Sequence, residues 1–290
     1  MTHELIGKVI IVTGAGRGLG RAYARAVAEA GAAVVVTDID PTTTADTVSL
    51  IEAAGGRAVA AVGAVDDARF GEALADLAIA TFGRLDGIVA NAGVMRAMPA
   101  LEETESDLEF HFRVNVMGVA LTVVPAMRAM AAAGGGSVVL VTSGARAGMP
   151  GIGAYGASKG AVASFAWNWA IDMAGTGVRV NAISPVAHTD MFALAVSALA
   201  PPPEPELIAP VVTYLLSDRS ERITGQIVRF TGTTLGLYPS PVTLAGQIDR
   251  ASWTAAEIAD AIDGELAGAI ADLSTGPDLV RVPLDEPARA

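Results

Sequence analysis

Four glycines, at positions 14, 16, 18 and 20, stand between a β-branched run and a helical apolar pattern, and that order leaves few folds open. Lys8-Val-Ile-Ile-Val-Thr13 has the continuous apolar character of a strand buried on both faces. Beyond the glycines, Leu19, Tyr23, Ala26, Val27 and Ala30 recur at helical spacing, and Gly31 supplies a stop. A strand, a glycine turn and a helix in that order aim backbone N–H groups and the positive end of a helix dipole at one point, where they receive a pyrophosphate. Gly14, Gly16, Arg17, Gly18, Leu19 and Gly20 form this candidate cradle. A glycine pattern without that placement would equally be an ordinary turn.

A second buried run, Ala33-Val-Val-Val-Thr-Asp38, ends in a carboxylate twenty positions beyond Gly18. A carboxylate there accepts hydrogen bonds from ribose hydroxyls and repels a 2′-phosphate, which predicts NAD over NADP. The competing expectation is that Asp38 caps the next turn beside Asp40-Pro41, and Arg17 as a phosphate partner weakens the preference. Alternating strand and helix signals over 290 residues predict one α/β domain, a doubly wound parallel sheet flanked by helices, spanning residues 1–240. An apolar fraction of 52% with only 17% charged residues suits a sheet covered on both faces.

Positions i and i+4 of a helix share a face, so Tyr155-Gly-Ala-Ser-Lys159 would present a phenol and an ammonium to one space. Free tyrosine titrates near pH ~10, and nearby cations favour the phenolate that a general base needs. The same spacing also occurs in ordinary surface helices, so the context decides. A strand-like run, Ser137 to Val141, precedes the helix and leads into Thr142 and Ser143, which puts Ser143 where open α/β sheets bind ligands. Ser143 is the candidate donor to a substrate oxygen; satisfying turn backbone is the alternative. Asn115, within an apolar helical pattern, reads either as a water-holding relay to Lys159 or as a buried amide bonded to neighbouring backbone.

From about residue 5 to 236 the chain resembles the short-chain dehydrogenase/reductase family. Thr13-Gly-Ala-Gly-Arg-Gly-Leu-Gly20 is similar to that family's cofactor loop and Ala90-Asn91-Ala92-Gly93 to its Asn-Asn-Ala-Gly element. Asn115, Ser143, Tyr155 and Lys159 resemble its catalytic tetrad. The resemblance implies a Rossmann-type fold, NAD as cofactor, and hydride transfer. It also implies contacts to the cofactor from Val65, Asn91, Ala92, Gly93, Tyr155, Lys159, Pro185 and Thr189. The chain departs from the pattern at Ala90, at Ala64-Val65 where an Asp-Val is common, at Val186, and in a Ser143-to-Tyr155 loop one residue short. That shortening makes Thr142 the runner-up hydroxyl, while at Ala64-Val65 the substitute for the missing polar contact to adenine is Asp66. The wording Gly-Leu-Gly-Arg-Ala-Tyr is also similar to the hydroxyacyl-CoA dehydrogenase part of multifunctional β-oxidation enzymes.

A formal charge of −12 without a basic stripe argues against nucleic acid as partner. With no cysteine there is no disulfide, thiolate metal site or thiol nucleophile, and His3, His111 and His188 are too scattered for a metal cluster. Neither a secretory signal nor an uninterrupted apolar run of membrane-spanning length is legible, so a cytoplasmic enzyme without membrane contact is expected. Met95, Ala145, Met149 and Phe192 flank the motifs as an apolar wall, and 191–200 reads as a greasy lid or a core-packing helix. A small hydrophobic secondary alcohol or ketone of steroid, terpenoid or hydroxyacyl type fits that wall, with Arg96 and Arg146 offering local relief to an anionic one. Residues 241–290 form a C-terminal extension with one helix expected over 255–273, opened by a Thr254/Glu257 capping box and weakened by Gly264 and Gly268. The resemblance implies a homo-oligomer, tetramer or dimer. The competing functional class is an NAD-binding regulatory or scaffold protein that keeps the fold without turnover.

Overall fold

The computed structural model describes residues 4–187 and 203–238, together with 248, 258, 260–262 and 264–266. Seven parallel strands and one antiparallel edge strand form a single sheet in the order β3-β2-β1-β4-β5-β6-β7-β8. The chain visits β1 (Val9–Thr13), α1 (Gly18–Glu29), β2 (Ala33–Asp38), α2 (Pro41–Ala53), β3 (Arg57–Val62), α3 (Ala68–Phe82) and β4 (Gly87–Ala90). Next come α4 (Glu105–Phe112), a π-helical turn (Arg113–Met117), α5 (Gly118–Ala132), β5 (Gly136–Val141) and α6 (Gly153–Asp172). β6 (Val178–Pro185), α7 (Ala209–Leu216), β7 (Ile227–Phe230) and β8 (Leu235–Leu237) complete it. The expected doubly wound architecture is what forms.

Period-two alternation in the central strands feeds two cores. Val12, Val34, Val36, Val139 and Ile183 pack with Tyr23 and Val27 of α1 and Val212 and Leu215 of α7 on one face. Ile11, Val35, Ile88, Val138, Leu140 and Val180 pack with Leu74 of α3, Val123 and Met130 of α5 and Val162 of α6 on the other. Strands enclosed between two helical layers must be apolar at every position, which is why β1 reads as Val-Ile-Ile-Val without a polar face. The helical run Glu105–Ala132 is long and apolar enough to cross a membrane by composition, yet Val119, Val123, Ala126 and Met130 on it are buried against the sheet, as in a core helix.

Of the C-terminal helix expected over 255–273, residues 258 and 260–262 are helical, and 264–266 form a turn in which the Leu266 N–H donates to Ala261 O at 2.9 Å. The helix therefore does not run through 264–266, the stretch that opens on helix-weakening Gly264. Ala261 is its buried residue, while Ile258 and Ile262 are exposed. Thr189, His188, Phe192 and the 191–200 lid lie outside the described residues, as do Trp253, Thr254 and Glu257.

Candidate active site

The β1–α1 loop is built so that only glycine fits. Gly14 and Gly18 have φ of +62° and +53°, in the left-handed region that side chains avoid. A methyl on Gly20 would overlap the Gly14 carbonyl oxygen and lie 2.5 Å from Asn91 Nδ2, so α1 starts tight against the loop. Thr47 Oγ1 donates to Ala15 O at 2.9 Å, and Arg21 donates through Nη2 to Gly16 O, so loop carbonyls are tied toward α2. Unlike α2, α3 and α4, which Asp40, Asp67 and Thr104 cap, α1 has neither a side-chain cap nor an acidic residue in its first turn. An uncapped helix start behind a backbone-only cradle suits a pyrophosphate.

Asp38 closes this cradle. Its Oδ2 accepts from Gly16 N at 3.0 Å, and its Oδ1 from Ile39 N at 2.8 Å, while capping of α2 falls to Asp40, which accepts from Thr42 N at 2.8 Å. The carboxylate thus sits against the glycine loop at the carboxyl end of β2. On the other side, Thr13 Oγ1 accepts from Asn91 N and Ala92 N, each at 3.0 Å, and Asn91 Nδ2 donates to Thr13 O at 2.9 Å. Asn91 and Ala92 tie the ends of β1 and β4 together, so the junction is closed with a buried alanine at 90. Val65 packs over Gly118 at the start of α5, and Pro185 ends β6. Asp66, the expected substitute contact to adenine, pairs with Arg113 of the π turn at 2.9 Å.

At the same edge, Tyr155, Lys159, Ser143 and Asn115 come together from three elements. Tyr155 is 8% exposed and packed with Ala145, Ile152 and Met95. Burial pushes its phenol up, and the Ser143 side chain pulls in the opposite direction. Lys159 Nζ is buried 5.9 Å from the Tyr155 ring centroid and donates to Val141 O at 2.9 Å; burial brings its ammonium down to about 8. The ammonium is anchored on the end of β5, and desolvation is the largest influence on both groups. Thr142 donates through Oγ1 to Lys159 O at 2.7 Å, which removes it as the runner-up and leaves Ser143 as the hydroxyl facing Tyr155.

The π turn swings Asn115 inward, where its Oδ1 accepts from Val94 N at 2.8 Å and its Nδ2 donates to Val94 O at 3.0 Å and Ser158 Oγ at 2.9 Å. Its amide N–H groups are therefore engaged with backbone and α6, as the second reading expected. Gly93 lies close against Asn115 and Lys159: a methyl on it would lie 3.2 Å from Asn115 Oδ1 and 3.3 Å from Lys159 Nζ, tighter than ordinary contact. One residue that sequence reasoning missed is His111. It is buried one turn before Asn115, takes the Arg96 N–H on Nε2 at 3.0 Å, and so donates from Nδ1 to Asp107 O at 2.7 Å. Its ring meets that of Tyr155 edge-on at 6.3 Å, and with Asn115 it holds the Val94–Arg96 segment that presents Met95. Only a count of histidines was available before folding, and nothing in that count signals the placement. A groove of about 530 Å³ lies at the opposite, amino end of the strands, where Lys8 and Arg84 already pair with Asp218 and Asp86.

A doubly wound sheet with a phosphate cradle after its first strand and a Tyr, Lys, Ser and Asn set at the same edge defines a dinucleotide-binding oxidoreductase. Residues 8–198 match the family model of the short chain dehydrogenases. The chain is 36% identical over 245 residues to the cis-4-hydroxycyclohexanecarboxylate dehydrogenase of Sinomonas cyclohexanicum, covering 80% of this chain and 98% of that one. Among solved structures, a short chain dehydrogenase from Mycobacterium avium superposes with a TM-score of 0.82 at 33% identity, over 91% of this chain and 96% of that one. Another, from Mycobacterium paratuberculosis and bound to NAD, gives 0.73 at 33% identity, over 79% and 98%. The chain belongs to the short chain dehydrogenase family, oxidoreductases that act with a nicotinamide cofactor on CH–OH and carbonyl groups.

Proposed function

We propose that the protein is an NAD-dependent dehydrogenase of a small hydrophobic secondary alcohol, or reductase of the matching ketone, of steroid, terpenoid or hydroxyacyl type. The observation that carries this is the convergence of Ser143, Tyr155 and Lys159 at the carboxyl edge, with the glycine cradle beside them. Gly14 to Gly20, Asn91, Ala92, Gly93, Val65, Pro185 and Thr189 hold the cofactor, and Asp38 selects NAD. When bound, the nicotinamide supplies or accepts the hydride. Ser143 donates to the substrate oxygen, and Tyr155 exchanges the hydroxyl proton with it. Lys159, mostly protonated below its value of about 8, steadies the developing phenolate and orients ribose. Asn115 is assigned as the water-holding relay to Lys159, the two side chains meeting beside Gly93. Met95, Ala145 and Ile152 around Tyr155 favour an apolar substrate body, and the Sinomonas relative is named for an alcohol on a saturated ring.

In this proposal the enzyme works in the cytoplasm as a homo-oligomer, a reading supported by Leu108, Phe112, Met117 and Val124, large apolar side chains exposed along Glu105–Ala132. The test is NADH formation by purified protein over a panel of secondary alcohols, with Tyr155→Phe alongside. Turnover lost in the variant while NADH still binds supports the base assignment; equal turnover in both overturns it.

A further inference from the structure

Several described arginines of this acidic chain pair with a carboxylate: Arg25, Arg84, Arg96, Arg113, Arg128 and Arg219. Arg21 and Arg179 instead hold loop carbonyls. Arg146 and Arg229 have neither kind of partner among the described residues, and both come to the turn that follows Ser143. Arg146 lies on that turn, Gly144–Ala147, and its guanidinium stacks on the Tyr238 ring at 4.1 Å. Its Nε and Nη2 are buried without a hydrogen-bond partner. Arg229 projects from β7, paired in register with Ser184 of β6. Its Nη1 and the Tyr238 hydroxyl each lie 3.8 Å from the position a methyl on Gly144 would occupy.

A guanidinium half removed from water with no counter-charge among the described residues is unfavourable, and a bound carboxylate would supply one. Stacking on Tyr238 also fixes the plane of Arg146 before anything binds, which suits the planar fork of a carboxylate better than the point contact of a lysine. Arg96, the other candidate for anion relief, is already committed to Asp107 at 3.8 Å and to the Phe110 ring at 3.7 Å.

We propose that Arg146, Arg229 and Tyr238 receive a carboxylate carried by the substrate, so that the alcohol oxidised here is a hydroxy acid with an apolar body. This rests on the hydride-transfer reading for its alcohol end. The carbinol faces Ser143 and Tyr155, the body lies along Ala145 and Met95, and the acid reaches toward the β7–β8 edge.

The experiment compares kcat/KM for the isomeric hydroxycyclohexanecarboxylates with that for their methyl esters, in the wild type, Arg146→Gln, Arg229→Gln and Arg146→Lys. Binding of cyclohexanecarboxylate, which has no hydroxyl to oxidise, and of cyclohexanemethanol is followed by thermal shift in the presence of NADH. The acid should be preferred over its ester by about ten- to hundredfold, the contribution of a charge-assisted hydrogen bond, mostly through KM. That preference should collapse in both glutamine variants and persist in part in Arg146→Lys, which keeps the charge. Cyclohexanecarboxylate should raise the wild-type Tm and cyclohexanemethanol should not. No acid preference in the wild type, or a preference unchanged in both glutamine variants, overturns the proposal. So does loss of assembly in the variants with carboxylate binding intact, since the arginines would then serve a contact between copies. Arginine-dependent binding of cyclohexanecarboxylate without turnover of any alcohol would instead sink the hydride-transfer reading and leave the anion site standing.

Discussion

Replacing Gly20 by alanine sets two effects of opposite sign against each other. Gly20 lies inside α1, where alanine is the better helix former by about 1 kcal/mol. The added methyl, however, would lie 2.5 Å from Asn91 Nδ2 and 2.7 Å from the Gly14 carbonyl carbon, where ordinary contact needs roughly 3.5 Å. The helix start must therefore retreat from the loop by about 1 Å. Neither obstacle can yield cheaply, because Gly14 is held at positive φ and Asn91 is tied to Thr13. Overpacking of this kind costs about 3 kcal/mol at the upper end of its usual range, leaving the variant about 2 kcal/mol less stable and its Tm roughly 4 to 8 °C lower. Moving the N–H cradle by about 1 Å should also weaken NADH binding, by about ten- to hundredfold. Gly160→Ala is the matched control: it too is helical, but a methyl there meets nothing within 4 Å, so it should gain roughly 1 kcal/mol and bind NADH as the wild type does. Thermal unfolding and NADH fluorescence titration of the three proteins decide the matter. A Gly20→Ala protein that melts at or above the wild type, or binds NADH equally well, refutes the close-approach reasoning.

Other measurements test neighbouring parts of the site. Lys159 has its ammonium lowered to about 8 in the folded chain, so between there and the ordinary lysine range the unfolded chain binds more protons; stability of the cofactor-free protein should rise with pH through that window, by on the order of 3 kcal/mol, and Lys159→Met should flatten the rise in denaturant titrations. Asp38→Asn should cut the NAD to NADP ratio of kcat/KM by about tenfold or more, since a charge that excludes the 2′-phosphate is gone; an unchanged ratio would remove Asp38 from cofactor choice. His111→Leu leaves the Arg96 N–H without its acceptor and should cost about 1–3 kcal/mol by urea unfolding, whereas His111→Gln, which can still accept, should recover part of it.

The doubly wound sheet was legible because each central strand is apolar throughout and each glycine sits where local geometry demands it, both of which are properties of short stretches of chain. The motif residues were legible for the same reason: Tyr155 and Lys159 share one helix, and Thr13 to Gly20 share one loop. What depends on partners far along the chain was not. Asn115 stood out as a polar amide in an apolar pattern, yet its clamp on Val94 and Ser158 needs the π turn, and the apolar spacing could not announce that turn. Thr142 and Ser143 are adjacent hydroxyls with equal claims until α6 packs against β5 and one of them is taken by Lys159 O.

The sequence by itself determined the strand order's raw material, the phosphate cradle, the acidic residue at the end of β2 and the identity of the Tyr, Lys, Ser and Asn set, since these follow from periodicity and from chemistry at fixed spacing. Only the tertiary structure decided which polar atoms remain unspent. Asp66 goes to Arg113 and Arg96 to Asp107, while Arg146 and Arg229 converge on the turn after Ser143 with no acid paired to them among the described residues. Pairing and desolvation are properties of space rather than of sequence distance, and a charge acquires its meaning for function only when the fold has chosen its neighbours.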